Sequence, residues 1–274
     1  MEIREIIGQN IARYRKERDL TQEDLAMELG ISFQAISKWE RGNSLPDITL
    51  VPDISKILGI SIDRLFGYKN QENITSIYEQ EYQTENYYWG LIPSKMCFNI
   101  LELMPPIRQL KVLDIGCGEG KDAVFFARNG YDVSAFDIST VGLEKLQKLY
   151  EEINTCVNTF RADINDYRIK SKYDILFSSG VLHYIKPELR KEIFLNYKEN
   201  TNEDGIHVFN VFVDKPFIEA PPENEPNAYP WISGELLTYY HDWEILKFEE
   251  QIFDCQSSGI PHKHTMNIMI AKKR

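Results

Sequence analysis

The chain has 274 residues, and its 42 acidic and 31 basic side chains give a net charge of −11 with histidine neutral. Residues 1–67 hold 9 basic and 11 acidic groups, so most of the negative charge lies beyond residue 67. Phosphates would be repelled by much of that second part, which argues against a nucleic acid as its substrate. The length is sufficient for two domains.

The four cysteines form no C-x-x-C pair, and no histidine–cysteine spacing typical of zinc occurs, so the sequence predicts no metal site. We expect reduced, mostly buried thiols. The N-terminus is charged and lacks an apolar signal core, and no apolar run reaches membrane length. These features predict a soluble, cytoplasmic protein without a membrane partner.

Residues 1–67 predict five short helices. Thr21 is a candidate N-cap for the second helix, with Asp24 at the capping-box position three residues later. Gly30 ends that helix, and the third is predicted over residues 33–40. Two helices joined by a short turn that contains glycine form a helix-turn-helix.

This segment resembles the Xre/Cro-C1 repressor family in Leu20-Thr21-Gln22, Leu25-Ala26, Leu29-Gly30-Ile31-Ser32, Ile36-Ser37-Lys38-Trp39-Glu40-Arg41-Gly42 and Pro46. The resemblance implies double-stranded DNA as a partner, the third helix as the recognition helix and a homodimer that reads two half-sites. The residues that it places at DNA are Gln22, Ser32, Phe33, Gln34, Ser37 and Lys38. Ile36 and Trp39 are expected to fill the small core.

Four cations of the first helix, Arg13, Arg15, Lys16 and Arg18, allow two interpretations, a solvated face or phosphate contacts. The near-neutral charge of this segment favours the solvated face.

Residues 68–77 are polar and aperiodic, which predicts a linker. From residue 78 onward, strand and helix patterns alternate, which predicts a parallel sheet with helices on both faces. The fold class is therefore α + α/β, with an all-α five-helix domain over 1–67 and a seven-stranded Rossmann-like domain over 78–274. The predicted strands are 111–115, 132–137, 157–162, 173–177, 206–213, 243–253 and 265–271.

The strand at 111–115 runs into three alternate glycines, and the next strand ends at Asp137. Such a unit lets backbone approach a ligand closely and puts an acid where a ribose hydroxyl pair would lie. Lys121 stands where dinucleotide fingerprints carry their last glycine. Asp114, just before the turn, could hold an ammonium group. A nucleoside with an amino-acid tail therefore fits better than NAD.

This pattern resembles motif I of the class I S-adenosylmethionine (SAM)-dependent methyltransferases; the alternative is an ordinary tight turn that binds no ligand. The resemblance and the strand ends imply a SAM site formed by Asp114, Gly116, Cys117, Gly118, Gly120, Asp137, Ile138, Asp163, Ile164, Ser178, Ser179 and Trp89.

Individual roles follow from these positions. Asp137 would bind the ribose hydroxyls, Ile138 would pack on adenine, and Asp163 would accept from the adenine amino group. Ser178 and Ser179 would lie beneath the methionine moiety. A loop acid or helix cap remains open for Asp163, an ordinary turn for the serines, and core packing for Trp89.

Residues 78–274 also resemble the tellurite-resistance (TehB-like) methyltransferase family in Trp89-Gly90, Pro93-Ser94, Asn129-Gly130-Tyr131-Asp132-Val133, Gly234-Glu235-Leu236, Tyr239-Tyr240 and Trp243-Glu244. The resemblance implies methyl transfer to a small, soft acceptor such as a metalloid oxyanion or a thiol-like nucleophile. The family has basic residues in its last hairpin, where this chain has Pro261-His262-Lys263-His264 without arginine. This departure leaves tellurite itself unassigned as the acceptor.

The candidate catalytic residues, which would position the acceptor, are His183, His262 and His264; each could instead be a surface or core residue. Residues 214–231 are rich in proline and aromatic side chains and could form either a lid over the acceptor or a passive loop. Two functions remain open. One is a small-molecule methyltransferase with a DNA-binding domain, and the other is a transcriptional regulator whose methyltransferase fold senses SAM or a related ligand without turnover.

Overall fold

The computed structural model describes residues 3–18, 20–60, 62–67, 76, 78–219, 227–255 and 260–274. The chain divides into two compact units, Met1–Ile74 and Thr75–Arg274. The predicted linker, residues 68–77, lies outside the described residues apart from Ser76. Its limits therefore stay a prediction.

The first unit consists of helices and their connecting turns. A single 3-10 turn, Ile48–Leu50, precedes the fourth helix. The helices are α1 (Ile3–Glu17), α2 (Gln22–Leu29), α3 (Phe33–Glu40), α4 (Val51–Leu58) and α5 (Ile62–Leu65). The predicted capping box of α2 is confirmed, because Thr21 Oγ1 accepts a hydrogen bond from Asp24 N and the Asp24 carboxylate accepts one from Thr21 N.

The core of this unit lies between α1, α2, α3 and α4. The predicted core positions Ile36 and Trp39 are confirmed as buried. Helices α1 and α3 approach closely at Gly8, where a side-chain carbon would lie 2.0 Å from the Trp39 carbonyl oxygen. For Arg15, neither the solvated face nor the phosphate contact expected of the first helix is correct. Its guanidinium is buried and donates to Glu40 Oε1 at 2.6 Å.

The second unit is built on a seven-stranded sheet, as predicted. Its order is β3-β2-β1-β4-β5-β7-β6, and β7 is antiparallel to both of its neighbours. The strands are β1 (Lys111–Ile115), β2 (Asp132–Asp137), β3 (Asn158–Arg161), β4 (Tyr173–Ser178), β5 (Thr201–Phe212), β6 (Glu244–Cys255) and β7 (His262–Lys272). The antiparallel pair at the edge distinguishes this sheet from an all-parallel dinucleotide fold.

Helices cover both faces of the sheet. Phe126 and Leu146 pack on one face together with α6, whereas Phe194 and Tyr197 pack on the other. The helices are α6 (Lys95–Leu103), α7 (Lys121–Arg128), α8 (Thr140–Glu152) and α9 (Pro187–Glu199). A short 3-10 helix, Glu235–Tyr239, precedes β6. Among the described residues, no helix combines the length and apolar character needed to cross a membrane.

Strand β1 lies between β2 and β4 in the sheet. The order of the strands therefore reverses at β1, which makes the edge beyond the carboxyl ends of β1 and β4 the place where open α/β sheets bind ligands. Gly116, Asp137 and Ser178 all stand at this edge, each at or just beyond the end of its strand.

Candidate cofactor and acceptor site

The turn after β1 is formed by three glycines in the left-handed region. The φ angles of Gly116, Gly118 and Gly120 are +71°, +52° and +88°, where other residues are strained. A side-chain carbon would lie 2.4 Å from Val181 at Gly116 and 2.2 Å from Leu146 at Gly120. These two glycine positions therefore have no room for a side chain, and they leave backbone atoms at the ligand-binding edge.

Asp137 closes this turn from the end of β2. Its Oδ2 accepts a hydrogen bond from Gly118 N at 2.8 Å, and its Oδ1 accepts one from Ser139 N at 2.8 Å. Burial raises the pKa of Asp137 above its usual range, and the N–H groups of Ser139 and Gly118 oppose that shift. Each carboxylate oxygen has two lone pairs, so this arrangement still allows Asp137 to accept from a ribose hydroxyl.

Asp114 is a buried acid beneath the turn. It is only 2% exposed, and its Oδ2 has no hydrogen-bond partner among the described residues. Burial, with Asp122 and Asp137 nearby, raises the pKa of Asp114 well above its usual range. An unsatisfied buried carboxylate is costly, and a ligand ammonium would satisfy it. The residues present therefore fit the charged amino-acid end of SAM.

The serines at the end of β4 have other partners. Ser178 is fully buried, and its hydroxyl donates to the Ile115 carbonyl at 2.9 Å, which ties β4 to β1. Ser179 Oγ accepts from Asn210 Nδ2 at 3.4 Å. The side-chain oxygen Oδ1 of Asn210 also accepts from Gly180 N at 2.6 Å, so Asn210 holds the loop after β4. The sequence interpretation did not single out Asn210.

Two predicted adenine contacts also have structural partners. Asp163 Oδ1 accepts from Asn165 N at 2.8 Å and therefore caps a local turn, which is the alternative left open for this acid. Ile164 is buried in the core of the second unit, so its side chain packs away from solvent. Ile138 is half-exposed beyond β2, and its carbonyl accepts from Arg161 Nε at 2.9 Å.

An aromatic segment, residues 78–94, covers the glycine turn; we call it the strap. Tyr82 is buried, and its hydroxyl would lie 2.9 Å from a side-chain carbon at Gly118. The indole N–H of Trp89 donates to that hydroxyl at 3.2 Å. Burial, followed by the charge of Asp137, raises the pKa of Tyr82. Trp89 itself is 42% exposed, which places it at the outer side of the strap rather than in the core.

Charged residues anchor the strap to the turn. Lys145 donates to the carbonyls of Thr84 and Asn86 at 3.0 and 2.7 Å, and it forms an ion pair with Glu119. Glu119 also accepts from Trp89 N at 3.4 Å. The sequence interpretation missed Tyr82, Glu119 and Lys145, although an acid inside a glycine turn was a signal that could have directed attention to Glu119.

The three candidate catalytic histidines gather around Phe212, at the carboxyl end of β5. The ring centroids of His183 and His264 lie 4.9 and 5.0 Å from that of Phe212. The rings of His262 and His264 are 4.6 Å apart. His183 is buried, whereas the other two are half-buried. The 3-10 helix Leu182–Tyr184 after β4, the end of β5 and the beginning of β7 therefore meet at one edge of the sheet.

The predicted lid falls partly outside the described residues, at positions 220–226. Its later part is packed on the second unit, because Trp231 is buried and Tyr229 N donates to the His183 carbonyl at 2.7 Å. Arg190 Nη2 donates to the Tyr229 carbonyl at 2.5 Å. The described end of this segment thus lies beside His183.

The structure bears on two expectations about cysteine, and it corrects the one that concerns burial. Cys255 lies close to two histidines: the ligand atoms of Cys255, His262 and His264 are within 4.8 Å of one another. Sequence spacing did not predict this possible metal-binding group, because strand pairing brings Cys255 opposite His262. Cys97 alone is buried, whereas Cys156 is exposed, so the prediction of mostly buried thiols is wrong.

In the first unit, α3 presents its predicted recognition residues on the side opposite the core. Ser32, Phe33, Gln34 and Lys38 are exposed, and Ser37 is half-exposed. Gln22 Nε2 donates to Glu40 Oε2 at 2.7 Å. A carboxamide nitrogen carries two N–H donors, so this bond is compatible with a phosphate contact by the second.

The fold, the glycine turn and the helical unit define a SAM-dependent methyltransferase joined to a helix-turn-helix DNA-binding domain. The family described as Tellurite resistance protein TehB matches residues 74–260, and the family described as Helix-turn-helix matches residues 11–65. The first match covers more than half of the chain, and the chain belongs to the TehB family.

Individual relatives agree with both matches. The chain is 29% identical over 250 residues to a probable SAM-dependent methyltransferase TehB from Haemophilus influenzae, covering 90% of this chain and 78% of the relative. A crystal structure of TehB from Haemophilus influenzae superposes with a TM-score of 0.59 and 26% identity, covering 72% of this chain and 66% of that one. An uncharacterized HTH-type regulator from Bacillus subtilis, YazB, is 43% identical over 61 residues, covering 22% of this chain and 88% of the relative.

Proposed function

We propose that this protein transfers the methyl group of SAM to a small, soft nucleophile, such as a metalloid oxyanion or a thiol, and binds double-stranded DNA as a homodimer. The five-helix domain over residues 1–67 would bind DNA, residues 68–77 would link it, and residues 78–274 would carry the enzyme. The observation that carries the catalytic part is the convergence of His183 and His264 on Phe212, at the strand edge that holds the glycine turn.

Binding of SAM would use the acids around the turn. The unpaired Oδ2 of Asp114 would accept from the ammonium, and Asp137 would accept from the ribose hydroxyls. Ile138 would pack on adenine, and Asp163 would accept from its amino group. The backbone of Gly116, Cys117, Gly118 and Gly120 would lie along the ligand, with Ile164, Ser178 and Ser179 acting through the loops that they stabilise and Trp89 through the strap.

When bound, SAM supplies an electrophilic methyl group on a sulfonium. An acceptor that is already nucleophilic needs alignment more than it needs a strong base. His183, His262 and His264 would orient such an acceptor through ring N–H groups or lone pairs. The buried ring of Tyr82, in the strap that Lys145 and Glu119 anchor, would exclude water from the side of the site that faces the glycine turn.

The acceptor is tested by incubating the full chain with SAM and single candidate acceptors: selenite, tellurite and small thiols. Release of S-adenosylhomocysteine together with a methylated product is expected with at least one of them. His183→Asn should lower this rate about tenfold to 1,000-fold if the ring aligns the acceptor. The exposed His241 provides a matched control, and His241→Asn should leave the rate unchanged.

The alternative is a regulator that senses SAM without turnover; the exposed recognition face of α3 supports its DNA-binding part, which both functions share. It predicts that SAM changes the affinity of the full chain for its operator while no acceptor in the panel yields product. Operator fragments selected from random duplex DNA would supply the probe. Product formation with any acceptor would exclude a purely sensory function.

A further inference from the structure

The β6–β7 hairpin brings a thiol and two imidazoles together on one face. Cys255 pairs directly with His262, and Phe253 pairs with His264. Side chains two residues apart on a strand share a face, so Cys255, His262 and His264 point to the same side. We call these three residues the hairpin triad; their ligand atoms all lie within 4.8 Å of one another.

The surroundings of the triad differ from those of the opposite face. All three side chains are half-buried, and the ring of His264 contacts those of Phe212 and Phe253, at centroid distances of 5.0 and 5.7 Å. On the other face of the hairpin, Asp254 and Lys263 are exposed and form an ion pair. The triad therefore lies in a partly apolar environment, where a coordinated cation is protected from competing water.

Hydrogen bonds prepare His262 for coordination. Its Nδ1 lies 2.7 Å from the Ile260 carbonyl, which can only accept, so Nδ1 carries a proton. In the neutral ring, Nε2 then has the lone pair, and it lies 2.8 Å from His264 Nε2, which must donate. A backbone carbonyl that holds one ring N–H and leaves the other nitrogen as a ligand is the usual second contact of metal-binding histidine.

We propose that the hairpin triad binds a divalent, thiophilic transition-metal ion such as Zn²⁺ through Cys255 Sγ, His262 Nε2 and His264 Nε2. Binding releases one proton, from the Cys255 thiol, to solvent, while the His264 proton moves from Nε2 to Nδ1. Soft thiolate and imidazole ligands select such ions over Mg²⁺ or Ca²⁺. Three protein ligands leave a fourth tetrahedral position open, as in zinc sites that bind a substrate.

This inference deepens the proposed function, and only the role of the ion rests on that proposal. Two ligands of the triad are histidines that we propose to position the acceptor. His264 and His183 both contact the ring of Phe212. The open position would hold a soft acceptor, a thiol for example, as its anion. Metal binding itself can be measured without turnover, so the two proposals can fail separately.

The test is a titration of the full, reduced chain with Co²⁺, read by absorption spectroscopy. Tetrahedral Co²⁺ with one thiolate gives visible d–d bands and a thiolate-to-cobalt charge-transfer band in the near ultraviolet, and we expect both to saturate at one equivalent. Competition with Zn²⁺ should abolish them. Cys255→Ser should remove the charge-transfer band, and His262→Ala or His264→Ala should weaken binding about 100-fold or more.

Matched controls use a cysteine and a histidine outside the triad. Cys156→Ser and His241→Ala, both at exposed positions, should leave the cobalt spectrum unchanged. Circular dichroism and SAM titration of each triad variant would show that it remains folded. The proposal is overturned if the wild-type chain gives no charge-transfer band with Co²⁺, or if folded Cys255→Ser retains it. Failure of the acceptor panel with a normal cobalt spectrum would contradict the methyl-transfer proposal alone.

Discussion

Asp137 accepts a hydrogen bond from the backbone N–H of Gly118 at 2.8 Å, so the acid at the end of β2 is tied to the turn that follows β1. This bond joins the two parts of the sequence pattern that first indicated SAM. It holds the Asp137 carboxylate beside the backbone of Gly118, a residue without a side chain. The geometry of the turn and the position of the acid are therefore one structural unit.

Replacing Gly118 and a control glycine should distinguish the effect of backbone strain on stability from the effect on SAM affinity. Gly118→Ala places a methyl group 2.9 Å from the Tyr82 hydroxyl and at a φ of +52°. Gly130→Ala is the matched control, because Gly130 has a φ of +93° and nothing within 4 Å of its added carbon. Both variants should lose about 1–2 kcal/mol of unfolding free energy. Only Gly118→Ala should lower SAM affinity in calorimetry; equal affinities would contradict the placement of the site.

Asp114→Asn should change stability and SAM binding in opposite directions. The raised pKa of Asp114 means that wild-type stability decreases as pH rises from about 4, the unfolded value, through the folded value. The neutral amide of the variant does not lose stability as pH rises, so Asp114→Asn should have a higher melting temperature than the wild type at pH 7. Its SAM affinity should fall about tenfold or more, because the charged partner of the ammonium is gone.

The control for Asp114→Asn is Asp132→Asn, at the exposed beginning of β2. It should change neither melting temperature nor affinity appreciably. A decrease in both stability and affinity for Asp114→Asn would indicate a structural role for the carboxylate, contrary to our interpretation.

His207 should make stability depend on pH below neutrality. Its Nε2 and Nδ1 lie 2.7 Å from Thr201 Oγ1 and 2.6 Å from the Tyr240 hydroxyl, and burial holds its pKa well below the ordinary value. The unfolded chain takes up a proton near pH 6.5 that the folded chain does not. Stability is therefore complete above about pH 6.5 and falls by up to about 1.4 kcal/mol per unit as pH decreases toward the folded pKa.

Urea unfolding between pH 5 and 8, a range of about 3 units around the histidine value, measures this slope. His207→Gln should have a shallower slope than wild type, although it is less stable at pH 8. His241→Gln, at an exposed histidine, should retain the wild-type slope. An unchanged slope for His207→Gln would contradict the assignment.

Two lysines of the helical unit provide a charge-matched test of the DNA surface. Lys38 is exposed on α3 beside Gln34, whereas Lys56 is exposed on α4. Lys38→Ala should weaken operator binding and reduce its salt dependence by about one ion, whereas Lys56→Ala should have a smaller effect. Fluorescence anisotropy with a selected operator at several salt concentrations distinguishes the two. A larger loss for Lys56→Ala would place the DNA on another surface.

The sequence predicted the features that depend on local pattern. The capping box at Thr21, the strand ending at Asp137 and the presence of seven strands were all predicted, because short-range periodicity and glycine placement determine them. Ile36 and Trp39 were recognised as core for the same reason. Helix α6 was missed, although it lies just before the first predicted strand.

Features that depend on tertiary contacts could not be read in this way. Lys145 and Glu119 are 26 positions apart, and only the packing of α8 beside the turn brings them into an ion pair. Cys255 meets His262 through antiparallel register, which no metal-binding spacing rule includes. Ser178 looked like a ligand contact because it ends a strand, but its hydroxyl is used by the neighbouring strand.

The most direct test of the central claim is a calorimetric titration of SAM into the full-length wild type and into Asp137→Ala, with Asp132→Ala as control. We predict saturable one-to-one binding by the wild type and the control, and a loss of about tenfold or more in affinity for Asp137→Ala. Equal affinity of Asp137→Ala and wild type, or no binding by any of the three, would contradict a SAM site at the glycine turn.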